Sequence, residues 1–129
     1  MKNKKKILII EDEPMFAGPL KAALEKEGHS VFLVSDGREG FPAAVKDKPE
    51  LIILDLILPW ENGFNVLEKL KSSEETKKIP VIILSNLSGS EDHKKCFDLG
   101  AEDFLVKTRL SIKEVVDIIR RILKRSEKQ

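Results

Sequence analysis

Two short aliphatic runs of this chain end on carboxylates. Leu51-Ile52-Ile53-Leu54 stops on Asp55, and Ile7-Leu8-Ile9-Ile10 stops on Glu11-Asp12-Glu13. Runs of this length and composition suit strands buried on both faces, as in a parallel sheet covered by helices. A charge at the end of such a strand is costly unless it lies at the sheet edge beside a cation or hydrogen-bond donors. If the two strands are parallel neighbours, their acids converge on one edge, where several carboxylates stay ionised together only around a bound cation. That is the outline of a Mg²⁺ site. Two further runs end on reactive groups: Val81 to Leu84 on Ser85-Asn86, and Asp103 to Val106 on Lys107. A carboxylate, a divalent metal, a hydroxyl and an ammonium are the parts needed to hold a phosphoryl group on an aspartate. Asp55 would be the nucleophile, the metal and Lys107 would neutralise charge on the transferred oxygens, and Ser85 would donate a hydrogen bond to one of them.

These groups need a scaffold that brings strand ends together. After the first run, Pro14 can open a helix whose inner face carries Phe16, Leu20, Ala23 and Leu24, closed by Gly28. Pro19 inside it removes a backbone hydrogen bond, so this helix is expected either to bend or to start later. Ser30 to Val34 reads as a second strand, and Ser35-Asp36-Gly37 as the turn into a second helix toward Lys46. The Asp55 strand leads through a loop carrying Trp60 and Gly63 into a helix with Phe64, Leu67 and Leu70 inward. Pro80 precedes the fourth strand, where proline is tolerated. A helix from about Glu91 to Leu99, stopped by Gly100, precedes the fifth strand. Ser111 caps a last helix with one apolar stripe: Ile112, Val115, Val116, Ile119, Ile122 and Leu123. Strand and helix alternate five times, which predicts a doubly wound α/β fold with a parallel sheet. In such sheets ligands bind outside the carboxyl ends of the strands, and Glu11, Asp12, Asp55, Ser85 and Lys107 all fall there.

With 129 residues the chain makes one domain. No apolar stretch approaches the roughly 20 residues needed to span a bilayer, and the lysine-rich start lacks the apolar segment of a secretory signal, so a cytoplasmic location is expected. The single cysteine, Cys96, forbids an internal disulfide and reads as packing. Lys+Arg 23 against Asp+Glu 22 gives a formal charge of +1 and no mark of a nucleic-acid binder. Lys2, Lys4, Lys5 and Lys6 at the start, and Arg120, Arg121, Lys124 and Arg125 near the end, read as solvated termini. His29 and His93 have no partner pattern and are expected at the surface.

From Ile7 to about Leu123 the chain resembles the receiver domain of two-component response regulators, the fold of the single-domain chemotaxis regulator. The resemblance rests on Ile7 to Pro14, on Leu54 to Pro59 with Asn62-Gly63-Phe64, on Val81 to Ser85, and on Gly100 to Lys107. It implies a flavodoxin-like (βα)5 domain with strand order 2-1-3-4-5, its core spanning about 5–124 and a basic tail 124–129. It implies that Asp55 accepts a phosphoryl group from a histidine kinase or a histidine phosphotransfer protein. Glu11, Asp12, Asp55 and the backbone carbonyl of Ile57 would bind Mg²⁺, Ser85 and Lys107 would hold the phosphoryl group, and Phe104 would be the switch aromatic that swings as Ser85 moves. The output would be a packing change of the face made by the fourth helix, fifth strand and fifth helix. That face would engage a downstream protein target or an output domain, or pair two copies, with no direct contact to nucleic acid or membrane. On this reading the chain is a signalling switch and not a metabolic enzyme.

Three positions depart from the family pattern. Glu11 replaces the usual aspartate and reaches one methylene further. Thr108 replaces the proline that normally follows the lysine in a cis bond, so either a non-proline cis bond costing about 3 kcal/mol is kept or the loop is rearranged. Asn86 is larger than the usual residue and would crowd the entrance. Ile57 and Leu87 are apolar at positions that influence dephosphorylation in the family, so slow self-dephosphorylation is expected. The alternative is a pseudo-receiver, an interaction module that works without phosphorylation. No output domain follows the last helix, which fits either a stand-alone receiver that docks or the start of a linker.

Overall fold

The computed structural model describes residues 4–127; Lys2 and the last two residues of the basic tail fall outside them. Five strands, β1 (Lys6–Ile10), β2 (Ser30–Val34), β3 (Leu51–Leu54), β4 (Val81–Ser85) and β5 (Asp103–Val106), form one parallel sheet in the order β2-β1-β3-β4-β5. Five helices alternate with them: α1 (Pro14–Lys26), α2 (Gly37–Asp47), α3 (Gly63–Ser72), α4 (Ser90–Asp98) and α5 (Ile112–Glu127). The order reverses between β1 and β3, whose register pairs Ile10 with Leu54, so Glu11 and Asp55 leave the sheet side by side. The doubly wound fold and the strand order are as the sequence predicts.

Strand side chains alternate faces, and the core divides accordingly. Ile7 and Ile9 pack with Ile53, Ile82, Leu84 and Leu105 under α1 and α5, against Leu20, Leu24, Val115, Ile119 and Ile122. Leu8 and Ile10 pack with Ile52, Leu54, Ile83 and Phe104 under α2, α3 and α4, against Ala44, Val66, Leu67, Leu70 and Cys96. Both faces of β1, β3 and β4 are therefore dry, which is why these strands read as unbroken aliphatic runs. Ile118, off the main stripe of α5, is half-buried against the first of these layers.

The caps follow local chemistry. Asp36 accepts from the Arg38 N–H at the start of α2, and Asn62 from the Asn65 N–H at the start of α3. Ser111 and Glu114 cap each other at the start of α5: Ser111 Oγ accepts from the Glu114 N–H at 3.1 Å, and Glu114 Oε1 from the Ser111 N–H at 2.9 Å. Helix α1 starts at Pro14 and runs through Pro19. The Met15 carbonyl thereby loses its Pro19 partner, at an exposed position where water can replace it.

His29 is half-buried rather than a free surface residue, because its Nδ1 accepts the Lys5 N–H at 3.1 Å. Burial and the neighbouring cation Lys5 outweigh Glu27 and hold its imidazole below the usual histidine range. The folded state therefore binds fewer protons than the unfolded chain just below pH 6.5, and this contribution to stability is lost as pH falls through that region. Replacement His29→Asn is expected to flatten the stability profile on the acid side. Urea midpoints of both proteins from pH 5 to 7.5 check this, and parallel curves would refute it.

Candidate functional site

The carboxyl edge of the sheet gathers one ammonium and four carboxylates. Lys107 Nζ lies 2.6 Å from Glu11 Oε1, 2.5 Å from Glu13 Oε1 and 2.9 Å from Asp55 Oδ2, and 5.0 Å from the centroid of Phe16. The second oxygen of Glu11 accepts the Glu13 N–H at 3.0 Å, and that of Asp55 the Ile57 N–H at 3.2 Å. Asp12 is exposed, and among the described residues its carboxylate takes no hydrogen bond or ion pair. A pocket of about 290 Å³ opens here, lined by Asp12, Glu13, Asp55, Ile57, Asn86 and Lys107.

Lys107 and Asp55 are nearly excluded from water, as is Glu11. Burial, partly countered by the Lys107 hydrogen bond and reinforced by the Asp55 charge, pushes Glu11 up to about 7. Burial opposes the charge on Lys107, yet its bonds to Glu11, Glu13 and Asp55 hold the amine above the ordinary lysine range. The amine therefore keeps its proton at neutral pH.

Glu11, Asp12 and Asp55 each offer a carboxylate oxygen within 4.8 Å of the others. Three hard oxygen donors of like charge in this span fit a divalent cation such as Mg²⁺, and Ile57, whose carbonyl the resemblance adds to the set, lines the same pocket. Ser85 is placed differently. It is fully buried at the end of β4, its Oγ accepts the Leu87 N–H at 3.4 Å, and it does not line the pocket. Asn86, expected to crowd the entrance, does line it. No peptide bond among the described residues is cis, and Lys107–Arg109 instead forms a short 3-10 turn, so the loop is rearranged around Thr108.

Two features escaped the sequence reading. Glu13 was legible only as the third acid of a run, and its tie to Lys107, 94 residues away, depends on the sheet order. His93, expected at the surface, stacks on Phe104 with ring centroids 3.9 Å apart and 25° between planes. Its Nε2 is buried without a hydrogen-bond partner. The reason is helical spacing: His93 is three residues before the buried Cys96 and shares the face of α4 that meets the sheet. Phe104 itself is buried. Cys96 is core, with its thiol pushed up to about 11 by burial.

A parallel five-stranded sheet in the order β2-β1-β3-β4-β5, with five helices and an acidic, lysine-bearing pocket at the strand ends, defines the flavodoxin-like class of α/β domains. The chain belongs to the response regulator receiver domain family, whose profile matches residues 7–120. It is 37% identical over 123 residues to the DNA-binding dual master transcriptional regulator RpaA of Synechocystis, an alignment covering 95% of this chain and 51% of that one. The chain thus spans about half the length of that relative. Its structure is similar to that of the phosphorylated cyanobacterial phytochrome response regulator RcpA, with TM-score 0.79, 30% identity, and coverage of 92% of this chain and 91% of that one. It is also similar to the receiver domain of a sensor histidine kinase from Pseudomonas aeruginosa with a magnesium ion coordinated in the active site cleft. There the TM-score is 0.83 and the identity 26%, with coverage of 94% and 98%.

Proposed function

We propose that the chain is a Mg²⁺-dependent phosphoacceptor switch in which Asp55 takes a phosphoryl group from a histidine kinase or histidine phosphotransfer protein in the cytoplasm. The observation that carries this reading is the convergence of Glu11, Asp12, Asp55 and Lys107 at one edge of the sheet, where Asp12, Asp55 and Lys107 line a pocket. Glu11, Asp12, Asp55 and the Ile57 carbonyl would hold the metal, which when bound supplies positive charge for the transferred oxygens. Asp55 attacks the donor phosphorus with a carboxylate oxygen and the donor leaves with its electron pair. Lys107 neutralises a phosphoryl oxygen. Ser85 must leave its Leu87 contact to reach another, and Phe104 must break its stack on His93 to follow. Phosphorylation then shifts a population between two packings of the α4–β5–α5 face. A downstream target, an output domain or a second copy would read that face. The exposed Ile57 would place apolar cover at the mouth and favour a long-lived phosphoryl group.

The test is intact-mass analysis after incubation with acetyl phosphate and Mg²⁺, beside Asp55→Asn and a metal-free sample. One added phosphoryl group, absent from both controls, is expected. No addition to the wild-type protein, with Trp60 fluorescence also indifferent to Mg²⁺ and beryllofluoride, would replace this reading with a phosphorylation-independent binding module.

A further inference from the structure

We propose that Glu13 is a positioning residue that restrains phosphoryl transfer by competing for Lys107. The inference rests on the phosphoacceptor reading above and adds a residue to it.

Glu13 is the N-cap of α1, a position that favours short side chains able to accept from the first turn. It makes no such cap bond. Its carboxylate instead reaches across the pocket mouth to Lys107 Nζ at 2.5 Å. An ammonium has three N–H donors; hydrogen bonds to Glu13 and Asp55 take two of them, and Glu11 is ion-paired to the same nitrogen at 2.6 Å. A phosphoryl oxygen arriving at Asp55 needs one of them. The Glu11 and Asp55 side chains are 3% and 6% exposed, so water cannot replace the cation at either if its contact to Lys107 is lost. Glu13 is 56% exposed, and water replaces its lost bond at little cost. The bond that yields is therefore the one to Glu13. Until it yields, Lys107 is held among three acids and the mouth carries an additional negative charge that repels an anionic donor. In the transfer step a bond forms from an Asp55 carboxylate oxygen to phosphorus, and the bond from phosphorus to the acetyl oxygen breaks. Acetate leaves with the electron pair while Lys107 exchanges the Glu13 oxygen for a phosphoryl oxygen.

The experiment measures the rate of mass addition from acetyl phosphate at saturating Mg²⁺ for the wild type, Glu13→Gln and Glu13→Asp. Glutamine lacks the charge. Aspartate keeps it but is a good N-cap, so its carboxylate turns to the α1 N–H groups and leaves Lys107. Both variants should phosphorylate about three- to fivefold faster, the factor an exposed ion pair supports. A separate readout is hydrogen exchange of the Lys107 ammonium by ¹⁵N NMR without any donor, which should quicken in both. A role limited to the structure of α1 would move the melting temperature and neither of these quantities. Unchanged or slower phosphorylation in Glu13→Gln would overturn the proposal, as would Glu13→Asp matching the wild type in rate and exchange, since mouth charge alone would then account for the effect. If the wild type takes no phosphoryl group, the phosphoacceptor reading and this one fail together, and unchanged ammonium exchange would fail this one alone.

Discussion

Lys107→Met should destabilise the protein by about 3–5 kcal/mol at pH 7.5 without divalent cation, the range for removing one partner of a buried ion pair. Methionine preserves the length of the stem, so the loss is one of charge rather than volume. What remains is two buried carboxylates, Glu11 and Asp55, together with the half-exposed Glu13, formerly shared by one ammonium. Solvent relieves Glu13, and the lower end of the range applies if Glu11 takes up a proton. Glu11 is already pushed up to about 7 with the lysine in place, and losing a bond that lowers it moves it higher. An acid whose folded pKa is raised costs stability as pH climbs through that value, so the penalty should be smaller at pH 6 than at pH 8. On the proposed reading Mg²⁺ would bind only the folded site and supply replacement charge, so millimolar Mg²⁺ should recover more stability in the variant than in the wild type. Urea unfolding at two pH values, with and without Mg²⁺, measures all three effects. Phosphorylation by acetyl phosphate should fall by about 10²–10³, as for loss of a donor that stabilises developing charge. A variant as stable as the wild type, with no differential response to Mg²⁺, would show that the ammonium does not hold the acids together.

Gly63→Ala should cost about 4 kcal/mol or more, placing it among the exceptional single substitutions. A Cβ at this position would lie 2.3 Å from the Asp55 carbonyl oxygen and 2.5 Å from Leu56 Cα. Both are backbone atoms, so no rotamer change relieves the clash. The Gly63 N–H also donates to the Leu56 carbonyl at 2.8 Å, which clamps the start of α3 onto the segment that carries Asp55. Forcing the two apart would displace Asp55 itself, so Mg²⁺ affinity should fall along with stability. Gly18 is the control. A Cβ there meets nothing within 4 Å, and alanine in a helix interior should stabilise by about 0.5–1 kcal/mol. Thermal melts of the two variants beside the wild type decide the matter. A mild Gly63→Ala would mean that the Asp55 loop can move without loss.

The strand ends were legible in the sequence because each aliphatic run stops on a polar or charged residue and because burial on both faces leaves no polar interruption. Leu51 to Leu54 and Ile7 to Ile10 announce buried parallel strands, and a parallel sheet with short crossovers carries its ligands at the carboxyl edge. Glu11, Asp12, Asp55 and Lys107 then follow from position alone. The caps at Asp36, Asn62 and Ser111 are likewise local chemistry, written within three residues of where they act. Pro19 misled only in part, since a helix with a solvated turn absorbs one missing hydrogen bond.

Other features depended on distances no linear pattern encodes. His93 reads as a surface residue because nothing nearby in the chain marks it, and it is buried only because α4 turns that face toward β5 and Phe104. Ser85 stands at a strand end like the other site residues, yet the end of β4 keeps its hydroxyl beneath the surface, against Leu87. Glu13 reads as one more acid in a run. The sequence by itself determined the fold, the edge of the sheet where the acids and the lysine gather and the residue types found there, because hydrophobic periodicity and strand ends are local properties. Only the tertiary structure decided how one ammonium is divided among three carboxylates, because that division depends on side chains just beyond the ends of β1, β3 and β5 meeting within 3 Å and on which of them water can reach.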